Sequence, residues 1–473
     1  MTIRVRYSPA PTGEIHVGNA RTALFNWLFA RHVGGTFVLR IEDTDRARTS
    51  DANIAGVQDT LRWLGIDWDE GPLLQSDLTA RHAAAVDQLL AEGHAYRCFC
   101  TAEEVQARTD ARRAAGRPPG YDGHCRDLSD EQRAEYLVEG RTSVVRFRTP
   151  DEGVSSFVDV VRGEVAVEWS TIRDFVIQRS DGSPIFFLAN AVDDIDMEIT
   201  HVIRGEDLID TTHRVLALRR ALDGGAPPVY AHLPLVLASD RAKLSKRHGA
   251  VAVEEFRERG YLREAVVNYL ALLGWSPGDD GDEILSRDEL AAAFELERVT
   301  HAAAVFDQKK LDWVNGEWMR RLDTEELVAR VEGDVRERFG SRFDPDVFLH
   351  AVRIAQERSV TLVQLVEQMD FLFVGDDAFV VDPDTWSKLD TVVGARDVLD
   401  IAIEHVESCD WTVDAINFVD ATKARGLKPG KVMSAVYVAV EGRAQGLPVF
   451  DGIWLLGRER SLARLRAARD RLD

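Results

Sequence analysis

The chain has 473 residues, of which 45% are hydrophobic and 29% charged, and its formal net charge is −22. This composition is typical of a globular protein of about three domains, and the negative charge argues against a protein that coats nucleic acid non-specifically, although a local basic groove stays compatible with it. The N-terminus lacks the basic residues followed by an apolar stretch that mark a signal peptide, and no run of apolar residues approaches the length of about 18 that a membrane span needs. We therefore expect no signal peptide, no membrane span and a cytoplasmic location.

The chain begins with a pattern that predicts a strand, a loop and a helix. Residues 3–7 alternate apolar and polar side chains, whereas residues 21–31 carry apolar side chains at helical spacing. The loop between them contains two prolines and places His16 where the helix begins. A helix N-terminus offers backbone N–H groups and a positive dipole end to a phosphate, to which a histidine can also donate a hydrogen bond. An ordinary turn with an exposed histidine is the alternative interpretation.

Further strands and helices follow in an α/β order that is interrupted once. Residues 36–42 predict a strand that runs into a charged cluster, and residues 51–64 predict a helix. From about residue 90 to 184 only short β-like runs occur, which indicates an insertion between two halves of a sheet. The pattern then resumes with two strand-like runs, a helix and a strand, over residues 185–194, 199–204, 211–222 and 229–233.

The last part of the chain is predicted to be helical. A basic segment, residues 243–249, precedes it, and no series of alternating strands occurs after Val253. Helical periodicity marks four segments there, over residues 324–339, 344–357, 386–407 and 458–472. The many arginines of the last segment would either contact phosphates or solvate the helix.

The chain has four cysteines, too few for a disulfide framework in a protein of this length. Cys98, Cys100 and Cys125 lie in one short segment, whereas Cys409 is far away. Clustered thiols in this pattern indicate a metal site in a reducing compartment. Three ordinary thiols without a metal are the alternative.

Two short motifs, taken together, connect the chain to a known family. Residues 16–19, His-Val-Gly-Asn, resemble the HIGH motif of class I aminoacyl-tRNA synthetases, and residues 243–247, Lys-Leu-Ser-Lys-Arg, resemble their KMSKS motif. Longer runs over residues 40–46, 192–207 and 306–315 are similar to the bacterial glutamyl-tRNA synthetases. The resemblance spans the whole chain.

This resemblance implies an α/β Rossmann-type catalytic domain with an inserted α/β domain, followed by an all-α C-terminal anticodon-binding domain. The catalytic domain is expected in two halves, residues 1–88 and 185–240, and the inserted domain, which would bind the tRNA acceptor end, at residues 89–184. Residues 241–322 would connect them to the anticodon-binding domain at residues 323–473. Glutamine enzymes and eukaryotic glutamate enzymes use β-barrels there, so the helical pattern favours the bacterial glutamate type.

The resemblance also implies the reaction of a glutamate–tRNA ligase. Such an enzyme uses ATP with Mg²⁺ to form glutamyl-adenylate and transfers the glutamyl group to the 3′-terminal adenosine of tRNA(Glu). Charge builds on phosphate oxygens during this reaction, so positioning and electrostatic stabilisation suffice without a protein nucleophile. His16, Gly18 and Asn19 would hold ATP on one side, and Lys243 and Lys246 would clamp its triphosphate from the other.

The positions that would bind L-glutamate follow from the same resemblance. Arg6 would hold the side-chain carboxylate and Arg204 matches a second position of the pocket, since a guanidinium group can bind a carboxylate through two hydrogen bonds. Glu42 would take the ammonium group, unless it pairs with Arg40 or Arg46 instead.

Two expected pocket positions depart from the family pattern. The family carries hydroxyl groups where Ala10 and Phe186 stand, so two hydroxyls are lost from the pocket. Ser8 is a candidate to replace one of them, and Asn190 is the further polar match.

The cysteine cluster is interpreted as one structural zinc site, which requires four ligands. Its ligands would be Cys98, Cys100 and Cys125 with Asp127 as the fourth, because Asp127 repeats the C-x-C spacing as C-x-D. Tyr121 is the alternative fourth ligand, and His124 is adjacent.

Arg358 lies where the bacterial family has an arginine that contacts an anticodon base, although an ordinary surface arginine is equally compatible.

The resemblance further implies a monomer that needs bound tRNA before it activates glutamate efficiently. One alternative is a truncated relative that glutamylates a modified base of another tRNA, against which residues 330–473 argue. The other is a degenerate synthetase kept for RNA binding, against which the intact His16 and Lys243 argue.

Overall fold

The structure is a computed structural model that describes residues 2–44, 49–242, 244, 252–278 and 281–472, without the side chain of Lys388. The chain divides into two compact units. The first unit comprises residues 1–256 and 266–308, and the second comprises residues 257–265 and 309–473. Among the described residues, no helix combines the length and the apolar character needed to cross a bilayer.

The first unit contains all of the strands found in the described residues. They are β1 (Arg4–Tyr7), β2 (Thr36–Ile41), β3 (Glu70–Leu74), β4 (Ala95–Cys98), β5 (Val144–Phe147), β6 (Val154–Asp159), β7 (Gly163–Glu168), β8 (Val176–Gln178), β9 (His201–Gly205), β10 (Val229–Leu233), β11 (Val236–Leu237) and β12 (Ala304–Val305).

The helices of this part of the chain alternate with the strands from β1 to β4 and are less regularly placed after β4. They are α1 (Val17–Val33), α2 (Asp51–Trp63), α3 (Thr79–Ala91), α4 (Ala102–Ala114), α5 (Asp130–Val138), α6 (Phe186–Asp196), α7 (Ile209–Ala221), α8 (Val253–Glu258), α9 (Arg263–Leu272) and α10 (Arg287–Ala293). The division between the two units runs through α8 and α9.

The main sheet has seven strands in the order β3-β2-β1-β9-β10-β6-β7. All neighbours pair in parallel except β6 and β7, which form an antiparallel hairpin at one edge. From β1 the chain moves outward to β2 and β3 on one side, and the later strands β9 and β10 lie on the other side. The order of the strands therefore reverses between β1 and β9, and open α/β sheets bind ligands at the carboxyl ends of the strands beside such a point.

The predicted insertion contributes to two different sheets. Its strands β4, β5 and β8 form a separate three-stranded sheet with antiparallel pairing. Its hairpin, β6 and β7, instead joins the main sheet, where Asp159 is paired with Tyr230 of β10. The domain boundaries stated above stay a prediction, because the insertion and the catalytic halves lie within one compact unit.

The second unit is helical over its described residues. Its helices are α11 (Gln308–Arg321), α12 (Thr324–Phe339), α13 (Pro345–Gln356), α14 (Leu362–Met369), α15 (Pro383–Asp390), α16 (Ala395–Ser408), α17 (Val413–Ile416), α18 (Val419–Ala424), α19 (Pro429–Glu441), α20 (Val449–Leu456) and α21 (Arg458–Arg471). The α/β fold followed by an all-α C-terminal part is thus confirmed.

Two predicted elements differ from the observed ones. The run over residues 185–194, predicted to be strand-like, forms α6, because an apolar stretch that is buried almost throughout has no periodicity that separates a strand from a helix. The helix predicted over residues 386–407 is split into α15 and α16. Gly394 lies between them, directly before α16, in the left-handed conformation with a φ of 89°, which a helix interior does not allow.

The arginines of α21 serve a purpose that neither sequence-based interpretation included. Arg458 donates hydrogen bonds to the carbonyl oxygens of Val406 and Glu407, and the buried Arg464 donates to those of Val440 and Phe371. Guanidinium groups thus satisfy carbonyl groups at the ends of neighbouring segments. These side chains stabilise the second unit.

Candidate active site

One cavity of about 220 Å³ lies at the carboxyl ends of β1 and β9, beside the point where the strand order reverses. Most of the predicted substrate-binding positions line it. They are Arg6, Ser8, Ala10, His16, Gly18, Asn19, Glu42, Phe186, Asn190 and Arg204. The structure therefore collects residues from β1, the loop after it, the start of α1, the end of β2, α6 and β9 around one space.

Arg6 enters this cavity from β1 with its guanidinium group already anchored on one side. Its Nε atom donates to Oδ1 of Asp194 at 3.2 Å, and Arg40 donates to the same oxygen at 2.7 Å. Burial alone would raise the pKa of Asp194, but the guanidinium groups of Arg6 and Arg40 hold it below its ordinary value. No other acceptor among the described residues meets Arg6, so its two terminal NH₂ groups are available to a ligand.

Arg204 enters from β9 and is anchored in a similar way. Its Nε atom donates to Nε2 of His232 at 3.1 Å, and its Nη2 atom donates to Oγ1 of Thr212 at 2.7 Å and to the carbonyl oxygen of Leu208 at 3.2 Å. Burial and the nearby charge of Arg6 lower the pKa of Arg204 to about 10, so it is still a cation at neutral pH. Two buried guanidinium groups in one cavity form a strong site for a carboxylate.

Glu42 follows β2 and presents its carboxylate to the same cavity. Asn190 donates to Oε1 of Glu42 at 3.0 Å, and its own Oδ1 accepts from Nη2 of Arg40 at 2.9 Å. Since Arg40 can only donate, this contact fixes the orientation of the Asn190 amide. Burial raises the pKa of Glu42, against the lowering by Arg40 and by the hydrogen bond from Asn190. Asn190 therefore orients Glu42 as well as lining the cavity. Arg46, the other predicted partner of Glu42, lies outside the described residues.

Two hydroxyl groups of this cavity come from the last residue of β1 and the residue directly after it. Oγ of Ser8 and the hydroxyl oxygen of Tyr7 are both buried without a hydrogen-bond partner among the described residues. Ala10 and Phe186 line the cavity with apolar surface. A buried hydroxyl group without a partner is costly unless a ligand satisfies it. Tyr7 is a position that sequence reasoning missed, and an aromatic residue at the end of the first strand is the only signal of it.

His16 caps the helix that it precedes. Its Nδ1 atom accepts hydrogen bonds from the backbone N–H groups of Gly18 at 3.1 Å and Asn19 at 3.4 Å. The acceptor role of Nδ1 requires that the proton of the neutral ring be on Nε2. The backbone N–H groups that the sequence predicts for a phosphate are thus partly used by His16 itself.

Lys243 and Lys246 lie outside the described residues, so their predicted contact with ATP stays a prediction. Leu244, the described residue between them, lines the cavity. Asp207 and Arg21 also line it, although the sequence pattern did not mark them as ligand-binding residues.

A second candidate site is the thiol cluster of the inserted segment. The ligand atoms of Cys98, Cys100 and Cys125 all lie within 4.8 Å of one another. The pKa of Cys98 is lowered to about 4, since the Cys125 thiol and the Tyr121 hydroxyl group donate to it and Arg146 lies nearby. Three converging sulfur atoms fit a structural zinc ion.

The two candidates for the fourth zinc ligand differ in position. The hydroxyl group of Tyr121 is buried and lies 3.4 Å from Sγ of Cys98. Asp127 has a side chain that is 78% exposed, and its Oδ1 atom accepts from Nη1 of Arg148 at 2.8 Å. This geometry favours Tyr121 over Asp127.

Arg358 lies in the second unit, just beyond α13, and is exposed. It lines a cavity of about 670 Å³ together with residues of α14, α19 and the segment after α19. Gln368, Ser434 and Tyr437 are among them, which brings polar groups and an aromatic ring around one space. Such a combination suits an unstacked nucleobase.

Comparisons with known proteins agree with this architecture over the whole chain. Residues 2–313 match the family described as tRNA synthetases class I (E and Q), catalytic domain. Residues 316–469 match the family described as anticodon binding domain. The chain therefore belongs to the class I tRNA synthetases of the glutamate and glutamine type.

Within that family the chain is similar to glutamate–tRNA ligases. It is 45% identical over 488 residues to the glutamate–tRNA ligase of Streptomyces griseus, covering 98% of this chain and 95% of that protein. It is also 45% identical to the glutamate–tRNA ligase of Salinispora arenicola, with full coverage of both chains. Among solved structures, a glutamate tRNA ligase from Elizabethkingia meningosepticum in complex with its amino acid superposes with a TM-score of 0.86 at 30% identity, covering 100% of both chains.

Proposed function

We propose that this chain is a glutamate–tRNA ligase, which activates L-glutamate with ATP and transfers it to the 3′-terminal adenosine of tRNA(Glu). The observation that carries the proposal is the pair of buried guanidinium groups of Arg6 and Arg204 in a cavity that also contains a carboxylate and partnerless hydroxyl groups. An amino acid with an acidic side chain offers partners for these cations, for the carboxylate and for the hydroxyl groups. Its side-chain carboxylate meets the two arginines, and its ammonium group meets Glu42.

The predicted contacts give each end of glutamate a matching group. Arg6 and Arg204 bind the side-chain carboxylate, and an uncharged glutamine amide gains far less from two cations. Ser8 supplies the hydroxyl group that Ala10 and Phe186 do not, because its Oγ atom is buried in this cavity without a partner. Glu42, oriented by Asn190, binds the ammonium group as a carboxylate.

In the first step an oxygen of the α-carboxylate of glutamate attacks the α-phosphorus of ATP, and pyrophosphate leaves with the electron pair of the broken P–O bond. The Nε2–H group of His16 donates to a phosphate oxygen whose charge rises in the transition state. Gly18 and Asn19 bring the backbone of α1 close to ATP, and Lys243 and Lys246 bind the leaving pyrophosphate. Mg²⁺, bound with ATP, neutralises part of the phosphate charge.

In the second step a ribose hydroxyl oxygen of the tRNA attacks the carbonyl carbon of glutamyl-adenylate. The bond from that carbon to the phosphate oxygen breaks, AMP leaves, and the hydroxyl proton is lost to solvent or phosphate. The protein contributes by positioning both reactants, which is worth several kcal/mol in favourable cases.

The thiol cluster holds one structural Zn²⁺ in this proposal. Cys98, Cys100 and Cys125 supply three ligands and Tyr121 supplies the fourth, with Asp127 as the earlier candidate. The ion would cross-link the end of β4 and the segment after it to residue 125, within a small cluster of buried side chains.

The remaining assignments concern the tRNA and the assembly. The segment of residues 89–184 binds the acceptor end, and residues 323–473 bind the anticodon, with Arg358 contacting a base. In this proposal the enzyme is a monomer. The enzyme acts in the cytoplasm, where tRNA is charged for protein synthesis.

The test is glutamate-dependent exchange of pyrophosphate into ATP, run with and without tRNA(Glu), followed by charging assays on purified tRNA(Glu) and tRNA(Gln). We expect exchange with L-glutamate, stronger when tRNA is present, and charging of tRNA(Glu). Absence of exchange under both conditions would overturn the proposal.

A further inference from the structure

Arg204 is held by an uncharged acceptor, unlike its neighbour Arg6. The Nε–H group of Arg6 meets a carboxylate, Asp194, which Arg40 shares. The Nε–H group of Arg204 instead meets the ring nitrogen Nε2 of His232 at 3.1 Å. Its Nη2 atom is bound by the hydroxyl group of Thr212, so only Nη1 lacks a partner among the described residues.

His232 is held in one tautomer by Asp159. The ring lies on β10, is fully buried, and its Nδ1 atom is 2.6 Å from Oδ2 of Asp159 on β6. Asp159 also accepts hydrogen bonds from the backbone N–H groups of Val161, Arg162 and His232. A carboxylate with this many donors stays ionised, so Nδ1 carries the proton and Nε2 presents a lone pair.

This arrangement matches what a carboxylate-binding arginine requires. A guanidinium group is always a donor, and a ring with a proton on Nε2 would set two N–H groups against each other. A carboxylate bonded to Arg204 alone would orient it but would also neutralise it, whereas the charge of Asp194 is shared by Arg6 and Arg40. A neutral acceptor fixes the orientation and leaves the positive charge for the ligand.

We infer that His232, held by Asp159, is a positioning residue for Arg204 and a determinant of selectivity for an amino acid with a negatively charged side chain. The inference rests on the proposed function, because it assigns the carboxylate of glutamate to Arg204. The hydrogen bonds from Asp159 to His232 and from His232 to Arg204 connect β6, β10 and β9. The hairpin β6–β7 at the edge of the main sheet therefore contributes to the site through Asp159.

Two substitutions of His232 separate its two hydrogen bonds. An asparagine amide reaches about as far as Nδ1, so His232→Asn keeps a donor for Asp159 and removes the acceptor for Arg204. A glutamine amide reaches about as far as Nε2, so His232→Gln keeps an acceptor for Arg204. The matched control is His213→Asn, because His213 is also buried and packs on the same Phe157 ring but bonds Ser155 and not Arg204.

The measurements are KM for glutamate, KM for ATP and kcat in pyrophosphate exchange with tRNA(Glu) present, together with the ratio of glutamate to glutamine activation. Since hydrogen bonds to charged groups are worth about 1.5–3 kcal/mol, we expect His232→Asn to raise KM for glutamate about ten- to a hundredfold and to lower the ratio. KM for ATP should stay within about twofold. His232→Gln should recover most of the loss, and His213→Asn should resemble the wild type.

Thr212→Val is the second variant if His232→Asn does not fold. Valine has nearly the same shape, and the substitution removes the hydroxyl group that binds Nη2 of Arg204 and contacts Nε2 of His232. We expect a rise in KM for glutamate without a change in KM for ATP.

An active wild-type chain with an unchanged KM for glutamate in His232→Asn and Thr212→Val would overturn this inference alone. Equal effects of His232→Asn, His232→Gln and His213→Asn would also overturn it, since they would indicate a general packing defect. A wild-type chain without any glutamate-dependent exchange would overturn the proposed function and this inference together.

Discussion

Arg4 and Arg6 lie two positions apart on β1 and face different surroundings. Arg4 forms a bidentate pair with Glu70, about half of whose side chain is exposed, whereas Arg6 is buried at the cavity. The alternation of a strand predicts the same face for both residues. Only the neighbours decide that one arginine meets a surface carboxylate and that the other is left for a ligand.

The pair provides a matched test at the scale of single residues. Arg6→Gln should raise KM for glutamate at least about thirtyfold, because removing one partner of a buried charge pair costs about 2–5 kcal/mol or more. Asp194 keeps its contact with Arg40, so the fold should persist. Arg4→Gln should leave KM for glutamate within about twofold. Steady-state pyrophosphate exchange measures both, and similar KM values for the two variants would contradict the assignment of Arg6.

Glu441, the last residue of α19, gives a prediction on stability and pH. Neither carboxyl oxygen makes a hydrogen bond of good geometry among the described residues, and burial raises the pKa well above its ordinary value, against the charge of Arg443 and the nearby backbone N–H group of Leu447. A carboxyl group whose pKa is raised on folding favours the native state below its unfolded pKa. That contribution is lost as the pH rises through the folded pKa.

Glu441→Gln, which keeps the shape without the charge, should therefore stabilise the protein increasingly from pH 5 to pH 8, by on the order of 1–3 kcal/mol at pH 8. Thermal unfolding at several pH values measures the difference. The control is Glu404→Gln, an exposed carboxylate paired with Arg425, for which we expect a change within about 0.5 kcal/mol. A difference that does not vary with pH would contradict the prediction.

At the scale of elements, the start of α1 combines a structural cap with the chemistry. A Cβ atom on Gly18 would lie 3.2 Å from Cε1 and 3.3 Å from Nδ1 of His16. The glycine thus leaves space for the ring that caps the helix, while its backbone conformation is one that other residues adopt.

Gly18→Ala should therefore separate stability from activity. Alanine is favoured over glycine in a helix by about 1 kcal/mol and loss of the His16 cap costs about as much, so the thermal midpoint should change little. The displaced ring of His16 should lower kcat by about tenfold or more. Gly56→Ala in α2 is the control, because nothing lies within 4 Å of its Cβ position, and kcat should be unchanged. Normal kcat in Gly18→Ala would show that the ring position is not needed.

The segment between β4 and α5 gives the prediction on metal content. The purified chain should contain one zinc per molecule by elemental analysis, and Cys98→Ser should contain none and unfold at a lower temperature, because a structural zinc contributes directly to folding. Tyr121→Phe should weaken zinc retention during dialysis against a chelator, whereas Asp127→Asn should not. Retention in Tyr121→Phe with loss in Asp127→Asn would reverse the choice of the fourth ligand.

At the scale of the whole molecule, the net charge of −22 does not describe the surfaces that bind substrate. The cavity of the first unit contains buried cations, and in the second unit Arg358 lines a cavity with Tyr437. Several arginines of α21 are used to bind carbonyl groups of their own unit. Counting charges along the sequence therefore overstates the number of arginines available to tRNA.

Arg358→Gln tests the second unit within the whole enzyme. We expect kcat/KM for tRNA(Glu) to fall about tenfold, the loss of one base contact, while KM for glutamate at saturating tRNA stays the same. Arg353→Gln, an exposed arginine on α13, is the control. The assay is charging of purified tRNA(Glu) and tRNA(Gln), and an Arg358→Gln enzyme with wild-type kcat/KM for both would assign Arg358 to the ordinary surface.

The sequence by itself predicted most of the strands and helices and ten of the residues that line the cavity, but not Tyr7, Arg21 or Asp207. It could do so because periodicity is a local property and because His16 and the loop of Lys243 stand in recognisable motifs. It also located the three thiols, since they are close in the chain. The prediction of a strand over residues 185–194 was wrong, because a stretch that is buried on nearly all sides has no periodicity that distinguishes a strand from a helix.

Only the tertiary structure decided how the cavity residues are anchored. His232 is 28 residues from Arg204 and 73 from Asp159, so no local pattern connects them. The same holds for Arg6 and Asp194, which are 188 residues apart, and for the hairpin that joins the main sheet. A side chain's hydrogen-bond partners depend on which strands become neighbours. The chemistry of a residue could thus be inferred from its type, but its orientation and charge state required the packed sheet.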